Sequence, residues 1–237
     1  MSSEIEDGGI PAATKYWGSE AWDYDSVRES KPGFWRDQKI IEQIVEQFTE
    51  ESVIADIPCG TGRAAFPILK RGHYYVGVDV SDDMLRVADE KLAAEPFRQH
   101  ARLLQGSAMN LPLNESEVDH IVSVKFFKWL PTDDDIRRVL REFQRVCSGS
   151  VFLNLKERSA SQEGGALSIR QIRRRVGKGL RQLPPIAGTP TTTTAPRAQT
   201  RSLWPGRFQD LADAEGWHAR RFAEHNGVVW YRLDGST

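Results

Sequence analysis

The feature that most constrains this chain is a change of residue period at Val53. Val53-Ile54-Ala55-Asp56-Ile57 is a short β-rich run that stops at Pro58-Cys59-Gly60-Thr61-Gly62. Ala64 to Leu69 then reads as helix, and Tyr75-Val76-Gly77-Val78-Asp79-Val80 reads as a second strand. Glycines at 60 and 62 let the backbone approach a ligand where a Cβ would crowd it. The helix that follows presents N–H groups toward the same place. Asp79 comes 19 residues after Gly60, close to the ~20 expected of an acid that takes a pair of ribose hydroxyls. A strand, a glycine turn, a helix, a strand and an acid in this order predict a parallel βαβ unit. Its ligand crevice would lie beyond the carboxyl ends of the strands.

The rest of the chain extends that unit. Pro32 suits a helix first turn, and Ile40, Ile41, Ile44, Val45 and Phe48 keep helical spacing after it. Ser81 is a candidate N-cap, with Asp82 and Asp83 where the helix dipole favours acids. Met84, Leu85, Ala88 and Leu92 supply that helix with an apolar stripe. Further strands fit Arg102–Gln105, Val118–Val124 and Val151–Leu155, with a helix marked by Ile136, Val139, Leu140 and Phe143 before the last of them. Pro205 to Glu215 is helical, and Trp217–Phe222 and Val228–Leu233 are strands joined at Asn226-Gly227, a hairpin signal. The expectation is an α/β fold: a doubly wound, mostly parallel seven-stranded sheet with a C-terminal antiparallel hairpin. Residues 1–15 read as a mobile leader and 16–237 as one domain. A basic and Thr/Pro-rich insertion interrupts it at about 157–204.

Composition narrows the class. Hydrophobic residues at 39% and charged residues at 27% describe an ordinary globular chain. A formal charge of −1 argues against a chain that wraps nucleic acid over its whole surface, so no nucleic-acid partner is expected. Two cysteines, Cys59 and Cys147, make neither a disulfide framework nor a metal cluster, and no metal site is expected. The polar, acidic stretch from Met1 to Pro11 is no signal peptide, and no apolar run approaches the ~18 residues of a membrane span. A cytoplasmic protein is expected.

The glycine turn alone does not choose a chemistry. Gly60-Thr61-Gly62-Arg63-Ala64-Ala65 also fits the G-x-G-x-x-A dinucleotide fingerprint, so an NAD(P)-dependent oxidoreductase is the rival reading. A binding module that keeps the fold without catalysis is a third. The flanking residues discriminate. Val53 to Gly62 resembles motif I of the class I S-adenosylmethionine-dependent methyltransferases, nearest to their small-molecule, quinone-biosynthesis-like branch. Gly77-Val78-Asp79-Val80-Ser81 with Met84-Leu85 resembles the motif around that family's ribose-binding acid. Gln105-Gly106-Ser107-Ala108-Met109-Asn110-Leu111-Pro112 resembles the turn facing adenine, and Asp119–Trp129 the fourth strand and its loop. The resemblance covers roughly residues 50–155.

It implies S-adenosylmethionine as cofactor, and methyl transfer to a small or lipid-linked molecule. Gly60 and Gly62, with Pro58, Cys59 and Thr61 in the same loop, would lie against the methionine end. Asp56 would order the loop or accept from the methionine amino group. Asp79 would hold the ribose hydroxyls, Val80 and Met84 would cover the adenine, and Ser107 and Ala108 would face it. Two residues depart from the pattern. Pro58 replaces a common glycine and removes one N–H. Ser107 stands where an aspartate is common, so its acceptor lacks charge assistance.

The acceptor side is less legible. The Asn/Asp-Pro-Pro-aromatic tetrapeptide of many nucleobase amino-methyltransferases is absent; the chain reads Ser123-Val124-Lys125-Phe126-Phe127-Lys128-Trp129. Lys125 and Phe126 are expected to line the crevice at the end of strand four, with Lys125 among the residues expected to bind the cofactor. The general base is not identified, and His225, Glu157 and Lys125 are the candidates. His225 reaches the catalytic edge if strand six runs parallel, and Glu157 follows strand five. Arg170, Arg173, Arg174, Arg175, Lys178 and Arg181 form a basic amphipathic stretch that could meet an anionic membrane surface or a phosphorylated substrate.

Overall fold

The computed structural model describes residues 19–48, 51–158 and 200–235. The leader over 1–15 and the basic stretch Arg170–Arg181 lie outside the described residues. Seven strands form one sheet: β1 (Val53–Asp56), β2 (Tyr74–Asp79), β3 (Ala101–Gln105), β4 (His120–Ser123), β5 (Val151–Lys156), β6 (Trp217–His225) and β7 (Val228–Gly235). Their order is β3-β2-β1-β4-β5-β7-β6. The first five strands pair in parallel, while β7 is antiparallel to both β5 and β6. The strand order reverses between β1 and β4, and a crevice opens there at the carboxyl ends.

The central strands read as apolar runs because both faces of the sheet are covered. Helices α3 (Pro32–Val45), α4 (Ala65–Lys70) and α5 (Asp82–Ala93) cover one face. There Ile41, Ile44, Ile68 and Leu92 meet Ile54, Tyr75, Val122, Phe152 and Trp230. Helices α6 (Asp133–Val146) and α7 (Arg207–Ala214) cover the other, where Val139, Leu140, Phe143 and Phe208 meet Ile121, Leu153 and Tyr231. Each such side chain, fully buried, contributes about 1.5–3 kcal/mol of transfer free energy. Two short helices, α1 (Ser19–Trp22) and α2 (Tyr24–Glu29), pack through Ala21 and Tyr24 onto Met84 and Val87 of α5.

Local signals act where the sequence places them. The Ser81 hydroxyl accepts from the Met84 N–H at 3.3 Å, with Asp82 and Asp83 in the first turn of α5. Thr132 and Asp135 form a reciprocal capping box at the start of α6. Asn226 and Gly227 take φ of 50° and 71°, the left-handed pair of a tight hairpin. Strand four is shorter than the apolar run Val118–Val124. Val118 makes only an isolated bridge to Cys147, and the chain leaves the sheet after Ser123.

Candidate functional site

A solvent-open cavity lies at the carboxyl ends of β1, β2 and β4. Its floor is the turn Asp56 to Thr61, one side is Val78 to Ser81 with Met84, and another is Gly106 to Ala108. Val124, Lys125, Phe126, Lys128 and Trp129 close the β4 side, and Tyr24 and Arg28 of α2 the outer wall. Asp56, Pro58, Cys59, Gly60, Thr61, Asp79, Val80, Met84, Ser107, Ala108 and Lys125, all named from the sequence, therefore share one space.

Asp79 organises the turn. Its Oδ2 accepts from the Gly60 N–H at 2.8 Å and its Oδ1 from the Ser81 N–H at 2.9 Å. Gly60 takes a φ of 53°, which favours a residue without a Cβ, and the space on its Cβ side is open. The turn does not offer a row of free donors. The Cys59 N–H goes to the Val78 carbonyl, that of Gly62 to Cys59, and that of Ala65 to Gly62. Burial raises the Asp79 carboxyl above its ordinary range against the pull of these N–H groups.

Asp56 is deeper. Burial pushes its carboxyl up to about 7, although the Tyr75 hydroxyl donates to it at 3.2 Å and the Ala64 N–H faces it. Tyr75 reaches Asp56 because position 77 is glycine: a Cβ there would stand 2.9 Å from the Tyr75 hydroxyl and 2.8 Å from Leu103. The Cys59 thiol, fully desolvated and facing Asp79 and Asp56, is held well above the ordinary thiol range. It is an inert packing group. Ser107 is buried, and its hydroxyl accepts from the Met109 N–H at 3.2 Å.

Across the cavity the chemistry is basic. Lys125 has a φ of 60°, a left-handed conformation that costs a non-glycine residue of order 1–3 kcal/mol. Its N–H donates to Asn154 Oδ1 at 2.6 Å, which holds that conformation. Its ammonium lies 2.7 Å from Asp37 Oδ2 on α3. Asp37 is 0% exposed and takes His225 Nε2 on its other oxygen at 2.8 Å. Arg63 sits over the Phe34 ring, donates to the Phe34 carbonyl and places NH1 3.9 Å from Asp37 Oδ2. Asp25 of α2 ties the outer wall down, accepting from the Thr61 hydroxyl at 2.7 Å and from the Lys91 ammonium at 2.9 Å.

Three named residues stand elsewhere. Gly62 does not line the cavity; a Cβ there would meet Ala88 Cβ at 3.3 Å, and its φ is 76°. Its lack of a side chain serves the packing of the turn on α5. His225 does end a strand that runs in the same sense as β5, so the topological expectation stands, but its ring turns to Asp37 and outside the cavity wall. Glu157 is buried and satisfied by the Tyr231 hydroxyl and the Arg221 guanidinium, again off the wall. Of the three base candidates, only Lys125 faces the cavity. Sequence reading did not single out Tyr24, Arg28, Arg63, Asp37 or Tyr75. The aromatic and charged run from Tyr16 to Ser30 was the available hint for the first two.

A seven-stranded sheet of this order, with an acid-braced glycine turn at its switch point, is a doubly wound α/β domain with a ligand site built at the carboxyl ends of its strands. Over residues 54–149 the chain matches the family described as "Methyltransferase domain". It is 39% identical over 111 residues to U6 snRNA (guanine-N(2))-methyltransferase THUMPD2 of Bos taurus, covering 45% of this chain and 22% of that protein. It is 33% identical over 116 residues to demethylmenaquinone methyltransferase of Desulfitobacterium hafniense (strain Y51), covering 47% and 43%. The chain thus spans less than half the length of either relative. Magnesium protoporphyrin IX methyltransferase from Synechocystis PCC 6803, solved with S-adenosylmethionine, shares the fold over 100% of both chains, with a TM-score of 0.66 and 10% identity. None of these supports the oxidoreductase reading.

Proposed function

We propose that this protein transfers a methyl group from S-adenosylmethionine to a small or lipid-linked acceptor. The observation that carries the reading is the single cavity that joins the glycine turn and Asp79 to the loop after β4, walled on the outside by α2. The residues present suit the cofactor. Asp79, a buried carboxylate of the cavity wall, would hold the ribose hydroxyls, and Asp56 lies under the turn where an amino group would arrive. Gly60 leaves an open approach, Ser107 and Ala108 would face the adenine, and Val80 and Met84 would cover it. When bound, S-adenosylmethionine supplies a methyl carbon already activated by its sulfonium.

The chain then has to orient the acceptor and exclude water. Phe126, Trp129 and Tyr24 provide an apolar wall for an acceptor's ring or chain, and α2 restricts water from the outer side. A base is required only if the acceptor must lose a proton, and Lys125 is then the group in reach of the cavity. The basic run Arg170–Arg181 supports an anionic membrane surface as a further partner through its charge alone. The relative named for U6 snRNA raises RNA as a rival acceptor. The apolar wall of Phe126, Trp129 and Tyr24 and the net charge of −1 favour the small molecule. Incubation with S-adenosyl-[methyl-³H]methionine, a fractionated metabolite and lipid extract, and total RNA decides. Label in a small-molecule or lipid fraction is expected; label confined to RNA defeats the reading.

A further inference from the structure

Charge is segregated within the cavity. Among the described lining residues the carboxylates are Asp56 and Asp79, both at the β1 and β2 end. The cations are Arg28 on α2, Arg63 at the end of the glycine turn, and Lys125 and Lys128 after β4. Behind them Asp37 is one buried carboxylate facing three basic groups: Lys125 at 2.7 Å, His225 at 2.8 Å and Arg63 at 3.9 Å. The Arg63 guanidinium also donates to two neutral oxygens, Gln38 Oε1 at 3.2 Å and the Phe34 carbonyl, while Asp56 and Asp25 act on it from further away. Burial lowers both Lys125 and Arg63 from their ordinary ranges, against the pull of Asp37 on each. The carboxylate of a bound S-adenosylmethionine would answer one of these cations, and its sulfonium would add positive charge. The β4 end of the cavity would then hold positive charge in surplus.

We propose that the methyl acceptor is an anion, whose carboxylate or phosphate is bound by Lys125 and Arg63 while its apolar part rests on Phe126 and Trp129. The inference rests on the methyltransferase reading and deepens it by naming the acceptor's chemical class. Lys125 suits the role because its unusual backbone, fixed by Asn154, and its contact with Asp37 hold the ammonium at the wall. Arg63 is held over the Phe34 ring, at 4.0 Å from the ring centre, so its planar fork is pre-organised.

The test uses the full chain saturated with S-adenosylhomocysteine, so that the cofactor's own carboxylate is already in place. Benzoate, phenyl phosphate and neutral benzamide are compared by calorimetry and ligand-observed NMR. At least one anion should bind about 10-fold or more tightly than benzamide, with an affinity that falls as salt is raised. The comparison of benzoate with phenyl phosphate tells carboxylate from phosphate. With S-adenosylhomocysteine kept saturating for each variant, Lys125→Gln should weaken the preferred anion by about 10-fold and Lys125→Arg should restore most of it. Lys128→Gln, at another cation of the cavity wall, is a second variant expected to weaken the anion more modestly. Benzamide binding as tightly as both anions overturns the proposal. So does unchanged anion affinity in a Lys125→Gln protein that binds S-adenosylhomocysteine normally. If the wild type does not bind S-adenosylhomocysteine, the methyltransferase reading fails and this inference falls with it.

Discussion

Replacing Asp79 by Asn tests how the glycine turn and the cofactor site depend on one carboxylate. Asp79 is 7% exposed and accepts two backbone hydrogen bonds, one to each oxygen, from Gly60 at 2.8 Å and Ser81 at 2.9 Å. An asparagine keeps the shape but has one acceptor oxygen, so its NH₂ must face one of the two N–H donors. It also removes the charge that would strengthen hydrogen bonds to ribose hydroxyls. Loss of a bond to a charged acceptor costs about 1.5–3 kcal/mol. If that loss falls on the cofactor, affinity drops about 10- to 100-fold. If it falls only on the turn, it appears as lost stability of similar size. Calorimetric titration with S-adenosylhomocysteine and thermal unfolding of the same samples separate the two. Weakened binding by a protein that remains folded is expected. A folded Asp79→Asn variant with wild-type affinity would refute Asp79 as the ribose ligand.

Asp56, with its carboxyl raised from 3.8 to about 7, holds a proton in the folded state that the unfolded chain has released. Its contribution therefore makes the protein less stable as pH rises from about 4 to 7. Asp56→Asn should flatten the pH dependence of Tm across that window, and an unchanged slope would show that Asp56 is not the source. Gly62→Val forces a β-branched residue to a φ of 76° and drives its Cβ onto Ala88. It should cost about 1–3 kcal/mol in urea unfolding; a variant as stable as wild type would contradict this packing. Glu157→Gln disturbs the buried contacts to Tyr231 and Arg221 away from the cavity wall. Lower stability by roughly 1–3 kcal/mol with unchanged S-adenosylhomocysteine affinity is expected, whereas weakened binding would place Glu157 in the site.

The cofactor side was legible because its determinants are local. The β-rich run before Pro58, the two glycines and an acid 19 residues after Gly60 are read along one stretch of chain. Parallel pairing of β1 with β2 then forces them together. The hairpin was equally local, since Asn226 and Gly227 supply the two left-handed residues it needs. The acceptor side is assembled from distant segments. Asp37 lies on a helix whose apolar stripe was plain, yet an acid between such stripes reads as solvent-facing. It is buried only because Lys125 and His225, which lie 88 and 188 residues further on, close over it. Tyr24 and Arg28 belong to short helices with little periodicity. Gly62 shows the opposite error: it looks like its neighbour Gly60, but its bare face points at α5.

The central claim is that the cavity at the β1/β4 switch point binds S-adenosylmethionine. A calorimetric titration of the full chain with S-adenosylhomocysteine, run beside one with NADH, tests it most directly. Saturable binding of S-adenosylhomocysteine, weakened in Asp79→Asn, with no binding of NADH, is the predicted result; binding of NADH without binding of S-adenosylhomocysteine would contradict it.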